Sequence, residues 1–213
     1  TLTVIVVTVF SLFLFGRSRA HAGWSRVPGR VKVLCTIAPL ADFAQQIGGS
    51  DVEVRCMVPP GVDPHDYALS PADAVLAADA DLCITNGGGL DDFLQQALRR
   101  SGADNRPVIG CFDILQRSSA QFVGSAKGDP HSWLSPINSL NYVRSISSSL
   151  HQLLSLRDKD AARRILLRSQ KLVDEIKAID TSYRRTLEPF KGKGFIAFHS
   201  AFGHLAEPYG ITM

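Results

Sequence analysis

From residue 31 onward the chain alternates short β-rich apolar runs with stretches whose apolar residues recur at helical spacing. Residues 31–37, Val-Lys-Val-Leu-Cys-Thr-Ile, predict a strand, and residues 39–47 a helix ending at Gly48-Gly49, where glycine tolerates a left-handed stop. A second strand follows at 52–58 and is broken by Pro59-Pro60-Gly61. Ser70-Pro71 reads as a cap followed by proline at the first helical position, so a helix runs from there to about residue 78. A strand at 82–85, a helix at 91–100 and a strand at 108–112 complete the series. Strands and helices alternating at this spacing predict an α/β fold with a mostly parallel sheet covered on both faces.

The second half reads differently. Ser135-Pro136 starts a helix reaching about residue 154, and residues 158–187 contain neither Gly nor Pro. Within that stretch Ile165, Leu172, Val173, Ile176, Ile179, Tyr183 and Leu187 form one apolar stripe, predicting a single amphipathic helix with its other face wet. Unbroken, it would be about 45 Å long at 1.5 Å per residue. That exceeds what a compact domain needs and suits a bridge between two lobes. Pro189 and Gly192 end it, residues 194–198 predict a new strand, and 201–209 a helix stopped by Gly210.

Composition narrows the function. A formal charge of +3 over 213 residues, with basic residues scattered and not interleaved with aromatics, excludes a nucleic-acid surface. Residues 1–15 are almost unbroken apolar, shorter than the roughly 20 residues of a membrane-spanning helix, and precede Arg17, Arg19 and Ala20-His21-Ala22. Residues 1–22 are therefore read as the remnant of an export signal, with an uncleaved membrane anchor as the alternative. Cys35, Cys56, Cys83 and Cys111 are too widely spaced for a zinc ribbon, and each lies in or beside an apolar stretch. Buried thiols are the favoured reading, and one disulfide is the alternative in an oxidising compartment.

The candidate chemistry lies in a repeated triplet. Asp-Pro-His occurs at 63–65 and 129–131, and a third histidine, His199, opens the segment Phe-His-Ser-Ala-Phe-Gly at 198–203. Proline fixes its own φ and pushes the preceding aspartate toward extended backbone, so each histidine leaves the chain in a reproducible direction. Three imidazoles brought together would bind one metal ion, and Asp63 and Asp129 would orient their histidines by accepting the second ring N–H. The competing use of each aspartate is as a turn former before proline. His65 falls in the loop after the second strand, where α/β sheets place their ligands. The second triplet follows the fourth strand after a Ser-, Gly- and Ala-rich linker at 116–128, which places both triplets on one edge. Gly87-Gly88-Gly89 lacks the spacing of a phosphate loop and reads as a tight turn. His21, His151 and His204 read as non-ligands, Asp66 and Glu207 as solvated, and Trp133 as an apolar wall beside His131.

These segments resemble the zinc- and manganese-binding receptors of ABC importers. The resemblance is carried by Asp63-Pro64-His65-Asp66-Tyr67, by 80–82 with Asn86-Gly87-Gly88-Gly89-Leu90, by Asp129-Pro130-His131-Ser132-Trp133-Leu134-Ser135-Pro136, and by 198–202 through Tyr209-Gly210-Ile211, in unbroken order over 31–213. It implies two parallel-sheet α/β lobes joined by one long rigid helix, with metal in the cleft between them. The expected organisation is a signal remnant at 1–22, a metal-binding lobe at 31–155, a linking helix at 158–190, and the start of an incomplete second lobe at 193–213. His65 and His131 are implied as ligands from the first lobe and His199 as the first ligand from the second, with a carboxylate expected beyond Met213 as the fourth.

Neutral imidazoles suit zinc, whereas manganese prefers oxygen. The resulting expectation is a monomeric, periplasmic, non-enzymatic protein that captures Zn²⁺ and hands it to a membrane permease. A manganese receptor of the same family is the alternative. A three-histidine zinc hydrolase is the rival from another class, and it would need a base near the metal that the sequence does not reveal.

Overall fold

A computed structural model describes residues 23–25, 27, 29–118 and 128–213. The expected signal remnant at 1–22, with His21, and residues 119–127 of the expected linker lie outside these. Among the described residues no helix is long and apolar enough to cross a membrane.

Four parallel strands form one sheet: β1 (Val31–Cys35), β2 (Val52–Cys56), β3 (Leu82–Thr85) and β4 (Val108–Gly110), in the order β2-β1-β3-β4. The register pairs Val33 with Val54 and Leu82, and Ile84 with Ile109. The two central strands are covered on both faces, with only Lys32 of β1 partly exposed and every residue of β3 buried. Between them come α1 (Ala38–Gly48), α2 (Pro71–Ala78) and α3 (Phe93–Ser101). Right-handed crossovers put α1 on one face and α2 with α3 on the other. Strand order reverses between β1 and β3, and the crevice beyond their carboxyl ends is where such sheets bind ligands.

The fourth strand is shorter than its apolar run predicts. Cys111 and Phe112 open α4 (Cys111–Arg117), not the end of a strand, and with Leu115 they bury one helical face. Gln116 and Arg117, expected in the linker, are the last residues of that helix. All four cysteines are free thiols, and burial pushes Cys56 up to about 11 and Cys83 up to about 12, so neither is thiolate at neutral pH.

Two long helices complete the packing. The first, α5 (Pro136–Ser155), is capped by Ser135 and buries Tyr142, Val143, Ile146 and Leu150; α6 (Lys159–Leu187) is one unbroken 29-residue helix, about 44 Å long. Asp158 caps α6 by accepting from the N–H groups of Asp160 and Ala161. Its first half buries Ala161, Ala162, Ile165, Leu172, Val173 and Ile176 against α1 and α5, whereas Ile179 and Tyr183 farther along the same stripe are exposed. Polar ties fix the buried half. Arg168 donates to the carbonyls of Ile47 and Gly48, satisfying the end of α1, while Arg164 and Arg168 both bind the Asp51 carboxylate at 2.6 and 2.8 Å. Gly49 has φ 56°, and a Cβ there would lie 2.7 Å from the Arg168 guanidinium carbon, so this turn admits only glycine.

The segment beyond α6 departs from expectation. Residues 194–198 do not form a strand: Gly194 makes a single parallel bridge to Thr212, and Ile196 and Phe198 are fully exposed. A strand needs a hydrogen-bonding neighbour, and among the described residues only the turn at Thr212 supplies one. The expected helix at 201–209 is one α-turn, α7 (Gly203–Ala206), continued as a 3₁₀ turn over Glu207–Tyr209, because Pro208 lacks the N–H that an α-helix requires. Tyr209 ties this segment to α6 by donating to Asp180 at 3.0 Å, with Arg184 over its ring.

Arg164, then Arg168, hold the Asp51 carboxyl below the ordinary carboxylate range. Because its folded pKa is lowered, Asp51 contributes stability that is present above its unfolded value of about 3.9 and lost as pH falls through the folded value. Asp51→Asn should therefore lower the thermal midpoint at pH 7, and the gap to the parent protein should close below pH 4. A gap that persisted at low pH would show that the ion pair is not its origin.

Candidate metal centre

Each Asp-Pro-His triplet folds as a small self-capped turn. At the first, Asp63 is extended (φ −72°, ψ 123°), Pro64 begins a 3₁₀ turn over Pro64–Asp66, and the Asp63 carboxylate accepts from the His65 main-chain N–H at 2.9 Å. At the second, the Asp129 carboxylate accepts from the His131 N–H at 3.0 Å, and the chain runs through a 3₁₀ turn over Ser132–Leu134 into α5. At Asp129 the turn-former and orienting readings are not exclusive, since the carboxylate that accepts from the His131 main-chain N–H also reaches its ring.

The three histidines meet. His131 Nε2 lies 3.2 Å from His65 Nε2 and 3.1 Å from His199 Nε2, and ligand-capable nitrogens of all three rings lie within 4.8 Å of one another. His131 is buried at the bottom of the cluster, while His65 and His199 are exposed on its rim. The surrounding cavity, about 460 Å³, is lined by Gly61, Val62, Pro64, Trp133, Leu134 and Ala201 as well as the histidines. Trp133 stands as a wall with its ring 5.2 Å from that of His131.

The electrostatics favour a neutral donor. Burial, with the neighbouring imidazoles, pushes His131 below the ordinary histidine range, against the pull of Asp129. Asp129 Oδ1 lies 2.6 Å from His131 Nδ1, so the ring carries its proton there and turns the Nε2 lone pair toward the cluster. The Asp63 carboxylate makes its contact with the main chain of His65 instead. His204, read as a non-ligand, is fully buried, and its Nε2 lies 2.9 Å from the carbonyl oxygen of Asp129. His151 bonds to Ser155 on α5, and Asp66 and Glu207 are exposed outside the cluster.

The glycine turn after β3 holds carboxylates, not phosphate: the N–H of Gly87 donates to Asp91 and that of Gly88 to Asp113, with all three glycines at positive φ. Sequence reading missed Asn86, Ser132 and Tyr142, which are buried and joined by hydrogen bonds beneath His131. Tyr142 falls in an apolar helical stripe and Asn86 at a strand end, so only their polarity at buried positions marks them, and periodicity alone does not reveal that.

Known proteins resemble the chain in sequence and in fold. The chain is 25% identical over 221 residues to the high-affinity zinc uptake system protein ZnuA of Bacillus subtilis, covering 99% of this chain and 68% of that protein. It is 28% identical over 210 residues to the iron-binding protein YfeA of Yersinia pestis, covering 98% and 66%. The crystal structure of the periplasmic zinc-binding protein TroA of Treponema pallidum superposes with a TM-score of 0.74 at 26% identity, over 86% of this chain and 65% of that one. The chain thus spans about two thirds of the length of these relatives. A family model described as zinc-uptake complex component A, periplasmic, matches residues 33–213, and the chain belongs to this family of metal-binding solute receptors of ABC importers.

Proposed function

We propose that this protein captures Zn²⁺ through the Nε2 atoms of His65, His131 and His199 and delivers it, on the periplasmic side, to the permease of an ABC importer. The observation that carries the reading is the convergence of the three rings. Zn–N bonds of about 2.0–2.1 Å in a tetrahedron separate the nitrogens by roughly 3.3 Å, and two of the three separations are 3.2 and 3.1 Å. Receptors of this family bind divalent metals and are not enzymes, which sets aside the hydrolase reading.

Zinc is the favoured cargo because all three donors are nitrogen. Manganese lies at the weak end of the affinity order and takes oxygen ligands by preference. The relatives' own names include both zinc and iron, so kinship alone does not choose between metals. A carboxylate in the fourth position would offset half of the ion's charge and close the tetrahedron, leaving no place for reactive water.

In this reading residues 31–155 form the first lobe, 158–190 the linking helix and 193–213 the beginning of a second lobe, and the protein acts as a monomer. The first half of α6 packs on α1 and α5 and its end carries the segment bearing His199, an arrangement that supports limited, local movement on loading.

Competition titration against a chromophoric chelator tests the assignment. His131→Ala should weaken zinc by more than the roughly 10–100-fold that losing an outer partner costs, and an unchanged affinity would refute the site. Asp129→Asn should itself fall in that 10–100-fold range, because the ring loses its fixed tautomer. Asp63→Asn keeps an oxygen for the turn and should weaken zinc less than Asp129→Asn does; the reverse order would show that the first triplet's carboxylate reaches the ring.

A further inference from the structure

Three buried polar side chains form a closed circuit through the main chain at His131. Asn86, Ser132 and Tyr142 are each 0% exposed, and burying such groups is tolerated only when their hydrogen bonds are made. Tyr142 Oη donates to Asn86 Oδ1 at 2.7 Å. With its one hydrogen so used, the tyrosine can only accept from Ser132 Oγ, also at 2.7 Å. The two hydrogens of Asn86 Nδ2 go to the carbonyls of Gly87 at 3.1 Å and Pro130 at 2.9 Å. The amide is therefore fully used, and the residues it reaches, Pro130 directly and Ser132 through the tyrosine, are those on either side of His131.

The anchor for this circuit is the sheet itself. Asn86 directly follows β3, and its N–H is bound by the Asp91 carboxylate, which also accepts from the Thr36 hydroxyl directly after β1. Asp129 sets the tautomer and ring orientation of His131, but the main chain from which the ring springs has no β-ladder to hold it. The buried circuit supplies that hold from the strand ends.

We infer that Asn86 and Tyr142 are positioning residues for metal binding, acting through the main chain on both sides of His131. The inference rests on His131 being a ligand. A ring displaced by a fraction of an ångström no longer shares an ion with the two rim histidines, so loss of the circuit must appear in metal affinity and not only in stability.

The test uses the whole chain with zinc in chelator competition, Co²⁺ absorption as a reading of tetrahedral geometry, and the thermal midpoint of the metal-free protein. Tyr142→Phe removes one hydroxyl and keeps the ring; it should weaken zinc by about tenfold, as for other outer partners, and reduce the Co²⁺ band. Ser132→Ala removes the other end of the same chain of bonds with little change in volume, so the double variant should bind no more weakly than Tyr142→Phe alone. Leu40→Ala, in the core of α1 away from the site, should lower the midpoint and leave both metal readings unchanged. If Tyr142→Phe does not fold, Ser132→Ala alone decides. Unaltered zinc affinity and Co²⁺ spectrum in the folded circuit variants, with binding lost in His131→Ala, would overturn the positioning role and spare the metal site. Unaltered affinity in His131→Ala would overturn both.

Discussion

The carboxyl edge of a parallel sheet is a line of main-chain groups that the ladder leaves unpaired, and everything placed there must satisfy them or be satisfied by them. Here the central strands β1 and β3 end at Thr36 and Asn86, two polar residues directly beyond buried apolar runs, and one buried carboxylate, Asp91, binds both. That single node fixes the crevice between the strands. The glycine turn wraps it, the second Asp-Pro-His loop hangs from it by the Pro130 carbonyl, and the start of α5 packs over it through Tyr142. The buried histidine is thus an outgrowth of the way the sheet terminates its hydrogen bonding.

The other constraint is length. The 29-residue α6 is not buried along its whole course. Its first half is committed to the core and bolted at Asp51 by two arginines, one of which also closes the end of α1. Its second half carries the Tyr209 contact and so sets where the segment with His199 can lie. His65 stands on a three-residue turn and His199 in the segment that Tyr209 ties to α6.

Much of this is readable from residue order. Strand β3 matches its expected bounds, α2, α5 and α6 match theirs to within a residue, and proline after a serine cap marks the starts of α2 and α5. The repeated triplet points to the cluster because proline restricts both itself and its predecessor, a local effect that sequence displays directly. Misreadings arise where local pattern is ambiguous or where a neighbour decides. Val108 to Phe112 is apolar throughout and suits a strand or a buried helix start equally, and in three dimensions the strand stops at Gly110 and Cys111 opens α4. Residues 194–198 have strand composition and, among the described residues, no strand beside them. The circuit under His131 is the least legible part, since its members are far apart in sequence and belong to three different elements.

The unequal exposure of the three imidazoles gives the cluster a direction. For a cation bound as proposed, the exposed rings at residues 65 and 199 face solvent and the buried one at 131 lies behind them. The two outer rings are the ones water can contact, while the innermost is held by the Asp129 carboxylate. A receptor built this way has its mouth at the two donors that are accessible and keeps the third behind them as a template.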